Sequence, residues 1–140
     1  MKKEDKELLL IDLSTRLRYG VICKSQKFKK RELIGIDDTG CIFKFKGENG
    51  ETEYGVLDPE EWKVMPYLRP MSSMTEEESK EYRMFIDYSY NDFTSESTPC
   101  IYVDKINDYL DWLNKKMFDY HGLIEKNLAL KALTGMYEGI

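Results

Sequence analysis

A single histidine in 140 residues removes most metal and acid–base chemistry from consideration. One imidazole leaves no His-pair metal site. The three cysteines, Cys23, Cys41 and Cys100, are odd in number and widely spaced, so neither a complete disulfide framework nor a zinc knuckle is expected. Cys23 and Cys41 lie inside apolar, strand-like runs, where a reduced thiol acts as a small hydrophobe. Long apolar runs are missing too. The run Leu8-Leu9-Leu10-Ile11 is four residues long, against about 20 needed to cross a bilayer as a helix. The opening Met1-Lys2-Lys3-Glu4-Asp5-Lys6-Glu7 mixes both signs of charge and lacks the pattern of a secretory leader, so a cytoplasmic protein with no membrane partner is expected. Nor is there a Walker loop, a dinucleotide glycine fingerprint, a Gly-x-Ser-x-Gly elbow or EF-hand spacing. No cofactor, metal site or catalytic residue is expected, and the chain reads as a non-enzyme.

What is present suits one soluble globular domain over residues 1–140, with 41% hydrophobic and 34% charged residues. The net charge of −5 is unevenly divided. Residues 1–70 hold 14 basic and 13 acidic side chains, whereas residues 71–140 hold 7 and 13. An acidic, tyrosine-rich second half is a poor surface for a phosphate backbone, which rewards clustered positive charge.

The pattern predicts an α+β fold: an N-terminal helix, then a small, strongly bent antiparallel sheet or SH3-like barrel, then C-terminal helices with one further strand. Residues 1–70 form the helix-plus-strand half and 71–140 the mainly helical half. Leu10, Leu13 and Leu17, with Leu9 beside them, make an apolar stripe on a helix from about Glu4 to Leu17, closed by Gly20. Short strands follow at Val21–Cys23, Leu33–Ile36, Cys41–Lys46, Thr52–Val56 and Val64–Leu68, where apolar residues recur with period two. Asn49-Gly50 suits a type I′ hairpin turn. Asp58-Pro59-Glu60-Glu61 reads as one helical turn with Asp58 as cap and Glu61 completing a capping box. Thr75 caps the next helix with Glu78 as its capping-box partner, and that helix fades near Tyr90. Asn91–Pro99 reads as a polar loop, Cys100–Val103 as a strand joining the earlier sheet, and Asp104 as the cap of a helix with Ile106, Leu110, Leu113 and Met117 on one face. A last helix is expected through Leu123, Ile124 and Leu128.

Two blocks carry a resemblance: Pro66-Tyr67-Leu68-Arg69-Pro70-Met71-Ser72-Ser73-Met74-Thr75-Glu76-Glu77-Glu78 and Phe118-Asp119-Tyr120-His121-Gly122-Leu123-Ile124-Glu125-Lys126-Asn127-Leu128-Ala129-Leu130. Both are similar to signature blocks of a family of small proteins from gut Bacteroidales bacteria and their phages and prophages. Lys6–Leu13 and Leu17–Val21 resemble that family as well. The stretch Lys131-Ala132-Leu133-Thr134 stands where many relatives have glutamate, alanine and proline. The resemblance brings no activity or catalytic residue; it implies a mobile-element context and accessory or host-interaction roles.

Four candidate sites follow from residue chemistry. Lys24, Lys27, Phe28, Lys29, Lys30 and Arg31 set five positive charges around one aromatic, the combination a nucleic-acid binder uses for phosphate neutralisation and base stacking. The competing reading is a solvated loop whose lysines keep strand edges soluble. Asp119 and His121 form the one acid–imidazole pair near in sequence, either a general base acting on Ser72, Ser73 or water, or a pair of turn residues before Gly122. Asp37 and Asp38 offer carboxylates for a metal with Asp58, or simply a turn. Arg69, set between Pro66 and Pro70, either pairs with an acidic residue of the second half or anchors a partner. Ten tyrosines and two tryptophans favour an unidentified protein partner over nucleic acid.

Overall fold

The computed structural model describes residues 1–138. Its first helix, α1 (Lys3–Arg16), passes through a 3-10 turn, Leu17–Tyr19, into Gly20, whose φ of 76° is the left-handed cap that glycine adopts without strain. Strands β1 (Ile22–Lys24), β2 (Arg31–Glu32), β3 (Gly35–Ile36), β4 (Cys41–Lys46), β5 (Thr52–Leu57) and β6 (Met65–Leu68) follow. Next come α2 (Glu76–Phe85), β7 (Asp87–Asn91), β8 (Glu96–Cys100), α3 (Ile106–Lys115) and β9 (Leu130–Lys131), giving the expected α+β class. No helix among the described residues is long and apolar enough to cross a membrane.

The strands of the first half are divided between two sheets. One has the order β2-β1-β6-β9 and the other β3-β4-β5. The chain moves from the first to the second within Arg31–Ile36, and Ile34 N–H continues the pairing by donating to the Ile42 carbonyl. On β4 the alternation holds: Cys41 and Phe43 are buried while Lys44 and Lys46 face solvent. Burial pushes the Cys41 thiol up to about 12 and the Cys23 thiol upward as well, so both stay protonated members of the core. The core joins Leu9 and Leu13 of α1, Val21, Cys23, Leu33, Cys41, Phe43, Leu57, Val64 and Leu68 to Met117, Leu123, Leu128 and Ala129 from the other end of the chain.

The second half departs from expectation in four places. The helix capped by Thr75 has both capping-box bonds, but it ends at Phe85 rather than near Tyr90. Ile86 turns extended, and Asp87–Asn91, with β-favouring tyrosines at alternate positions, forms a strand instead. The stretch Asn91–Pro99 is therefore a hairpin and not a loop; only Asp92–Ser95 turn, with Ser95 at φ 59°. Cys100 ends β8, which pairs only with β7, so Cys100–Val103 adds nothing to the earlier sheets. No helix forms through Leu123–Leu128, because Gly122 (φ 72°) and Asn127 (φ 59°) both take left-handed angles that break a helical run. That stretch is a series of turns ending in β9, which lies parallel to β6 with Tyr67 opposite Leu130.

Smaller corrections concern caps and turns. α3 starts after Lys105 with no side-chain cap, so Asp104 is not its cap. Asn49 is not at positive φ, which excludes a type I′ turn; Gly50, at φ 82°, absorbs the reversal alone. Asp58 does cap the turn, accepting from the Glu60 and Glu61 N–H groups, and its second oxygen takes Lys6 Nζ at 3.0 Å. Among the described residues, however, no bond from the Asp58 N–H to the Glu61 side chain completes a capping box.

Gly40 lets β4 and β5 close over each other: a Cβ there would sit 2.3 Å from the Leu57 carbonyl oxygen. Gly40→Ala should therefore cost about 1–3 kcal/mol, because backbone rather than a mobile side chain has to shift. Urea unfolding checks this, and an unchanged midpoint would contradict the packing described.

Candidate functional site

Helix α1 buries a stripe that is half ionic. Leu9, Asp12, Leu13 and Arg16 stand at i, i+3, i+4 and i+7, and all four are fully buried. Arg16 donates from Nε to Asp12 Oδ1 at 2.7 Å and from Nη2 to Asp12 Oδ2 at 3.0 Å. The same Nη2 reaches the Phe118 carbonyl at 2.7 Å, and the guanidinium lies over the Tyr120 ring, 5.2 Å from its centroid. Arg16 Nη1 is the one buried side-chain polar atom without a hydrogen-bond partner among the described residues. His121 Nδ1 lies 2.7 Å from Asp12 Oδ2, so an ionised Asp12 accepts from both neighbours. Burial alone would raise the Asp12 carboxyl; hydrogen bonds from His121 and Arg16 hold it below the ordinary value. Thr15 and Tyr120 both donate to Asn114 Oδ1 and extend the network to α3.

Of the two sequence readings of Asp119 and His121, the geometry supports turn residues for Asp119 and breaks the acid–imidazole pair. Asp119 accepts from the Leu123 and Ile124 N–H groups at 2.8 and 2.9 Å and caps that turn. The acid that holds His121 is Asp12, 109 residues away. Ser73 donates to the Pro70 carbonyl, and no hydrogen bond joins Ser72 or Ser73 to His121 among the described residues. His121 lines none of the three surface hollows of about 380, 460 and 680 Å³. The Asp37 carboxylate is occupied by Thr39 and Gly40, and no group of three potential metal ligands gathers among the described residues.

Arg69 turns inward. Its guanidinium meets Glu78 in a bidentate pair, at 2.7 and 2.6 Å, and stacks over Phe118, 4.3 Å from the ring centroid. Its backbone lies between Met117 and Asp119, taking one bond from the 119 N–H and giving one to the 117 carbonyl. The Glu78 carboxyl is thereby held down to about 2, first by the Arg69 hydrogen bonds, against an opposing desolvation, with help from the Thr75 N–H and the charge of Lys116.

The basic loop is tied to the core rather than open. Phe28 packs edge-on against Phe43 at 4.7 Å and tilted against Phe45 at 6.1 Å. Arg31 lies over Phe28 and Phe45 and donates to the Lys44 carbonyl. Lys27 sits over Phe45 and Trp62. Lys24, Lys29 and Lys30 stay exposed, but the one aromatic that could stack on a base already packs against its neighbours.

Sequence reasoning missed the β7–β8 arm. Tyr88 is 70% exposed, Tyr90 60% and Phe93, at the turn, 99%. With Met84, Tyr102 and Val103 they make up six of the eleven large apolar side chains left exposed among the described residues. The arm adjoins a hollow of about 380 Å³ between α2 and α3, walled by Met84, Phe85 and Trp112. Behind that wall Tyr82, Phe85, Tyr109 and Trp112 pack at centroid distances of 5.8–6.2 Å, and Trp112 stacks on Phe118. Tyr88-Ser89-Tyr90 followed by Glu96–Cys100 carried a period-two signal that its Ser/Thr/Pro content hid. No protein-family model, no curated protein and no solved structure matches the chain.

The Arg69–Glu78 pair fixes a pH dependence. A carboxyl lowered on folding contributes stability above its ordinary value of 4.5 and loses it as pH falls toward about 2. Arg69→Ala should lower stability at neutral pH by about 1–3 kcal/mol and flatten the loss between pH 4.5 and 2. Thermal melts of both proteins across that range check it; parallel curves would exclude the pair as the source.

Proposed function

We propose that this chain is a non-enzymatic, cytoplasmic protein-interaction or regulatory module, associated with phages or other mobile elements, and that its contact surface is the β7–β8 arm with the adjoining α2–α3 hollow. The observation that carries this reading is the clustering of exposed aromatics. Tyr88, Tyr90 and Phe93 are large, rigid, amphipathic side chains of the kind that anchor interfaces, and they stand together on one projecting hairpin. An exposed apolar patch of this kind on an otherwise charged protein marks an interaction site. Glu81 and Asp108 in the hollow, with Asp92 and Glu96 at the turn of the arm, outnumber Lys105 and favour a partner surface with basic character.

The strand half supports an SH3-like reading. Its two sheets, β2-β1-β6 and β3-β4-β5, share the run Arg31–Ile36, and a tight turn at Pro59–Lys63 joins β5 to β6. That architecture hosts many unrelated functions, so the assignment rests on the arm and not on the barrel. The non-enzymatic reading is supported by the position of the single histidine, which lines none of the three hollows and has no hydroxyl or thiol nucleophile hydrogen-bonded to it among the described residues. Nucleic-acid binding by Lys24–Arg31 remains the weaker alternative, because Phe28 offers no free stacking face.

Affinity capture from the native host with the wild type and with Tyr88→Ser/Tyr90→Ser/Phe93→Ser tests the assignment. The triple variant should lose the reproducible partner while its melting temperature stays within a degree or so, because side chains this exposed contribute little to folding. Charge reversal at Lys24, Lys29 and Lys30 should leave capture unchanged. Capture that survives the triple variant would overturn the reading.

A further inference from the structure

In an antiparallel ladder, residue pairs that exchange hydrogen bonds alternate with pairs whose N–H and C=O groups point away from the partner strand. The β7–β8 register places Tyr88 opposite Pro99, Ser89 opposite Thr98 and Tyr90 opposite Ser97. Pro99 has no N–H to give, so Tyr88–Pro99 falls in the outward-pointing phase, and Tyr90–Ser97, two residues on, falls there too. The turn agrees: the Ser95 N–H closes on the Asn91 carbonyl at 2.8 Å, in step with hydrogen-bonded pairing at Asn91–Glu96 and Ser89–Thr98. Both N–H groups and both C=O groups of Tyr88 and Tyr90 therefore face outward. No further strand lies beside β7, and no turn or loop bond reaches either residue among the described residues. The outer edge of β8 is different, since Pro99 sits on it and blocks strand addition. Of the two edges of the arm, that of β7 is the open one.

We propose that this edge pairs antiparallel with β7 of a second copy of the chain, about a two-fold axis at Ser89. The inference rests on the arm being an interaction surface and names one occupant of it. The edge is self-complementary under that rotation. Tyr88 of each copy lies opposite Tyr90 of the other, and each of the four residues donates one backbone hydrogen bond and accepts one. The four tyrosine rings share one face at cross-strand spacing, where aromatic pairs stabilise a sheet. On the other face Asp87 meets Asn91 of the second copy, so no like charges are opposed, and Lys105 already neutralises Asp87 at 2.9 Å. The one acid in the contact is thus already paired, and the edge carries no free charge of the kind that protects exposed strands. A different partner would have to bring a free strand of its own; a second copy carries one in the matching register.

Sedimentation velocity on the full chain, from micromolar to millimolar concentration, should show a reversible monomer–dimer equilibrium. Tyr88→Pro removes an outward N–H without touching the β7–β8 ladder and should weaken the dimer roughly tenfold or more. Tyr88→Lys with Tyr90→Lys sets like charges opposite each other and should abolish it; Tyr88→Lys with Tyr90→Glu sets opposite charges and should keep it. In a Cys100→Ser background, Ser89→Cys should form a disulfide-linked dimer on mild oxidation, because the two residues face each other in a non-hydrogen-bonded pair. Tyr88→Cys should not. A chain that stays monomeric throughout, or a dimer indifferent to the two lysine substitutions, overturns self-pairing. A monomer that still captures a host partner through Tyr88, Tyr90 and Phe93 overturns self-pairing alone, whereas loss of both sinks the interaction surface as well.

Discussion

A guanidinium with no access to water, held by a carboxylate with no access to water, is the constraint around which this fold is arranged. Arg16 and Asp12 would each be costly to bury alone; together, with the Phe118 carbonyl and His121 completing the contacts, most of their hydrogen-bonding capacity is met inside the protein. Both charges sit on α1, but the groups that complete them come from Phe118–His121. The buried charges of the first helix are therefore satisfied only with a segment that lies 102 to 109 residues away.

That segment is where the two halves of the chain interlock. Residues 117–119 pair with Arg69 at the end of β6, while the Phe118 ring is held between the Arg69 guanidinium and Trp112. Arg69 in turn carries Glu78 and with it the start of α2. Ion pair, aromatic stack and backbone bridge thus meet at one residue, Phe118. The β7–β8 arm stands outside this arrangement. It is tied to the body mainly through the Lys105–Asp87 pair and the chain entering and leaving it.

Most strands of the first half were legible because period-two alternation and turn chemistry agree there, Cys41–Lys46 being the clearest case. β2 at Arg31–Glu32 was hidden in the charged run, and the strand expected at Leu33–Ile36 is confined to Gly35–Ile36. The Thr75–Glu78 capping box and the inward ion pair of Arg69 were legible for the same reason, being local chemistry reinforced by charge. The buried pair was not. Asp12 and Arg16 at i, i+4 look like any solvated helix pair, and only their phase with Leu9 and Leu13 hints at burial. The partner of His121 was not legible, because Asp12 lies 109 residues away in sequence, which spacing cannot reveal. The arm was hidden by composition: Ser, Thr and Pro read as loop, yet at an unpaired edge a proline blocks further strands and does not preclude the strand itself.

The account stands on the mutual dependence of Asp12 and Arg16, and a double-mutant cycle measures that dependence directly. Unfolding free energies are needed for Asp12→Ala, for Arg16→Met and for the two together, in urea at neutral pH. Each single change should cost about 3–5 kcal/mol, because it strands a buried charge, and the double variant should cost far less than the sum. Small, additive losses below about 1 kcal/mol each, the behaviour of an exposed pair, would contradict the account.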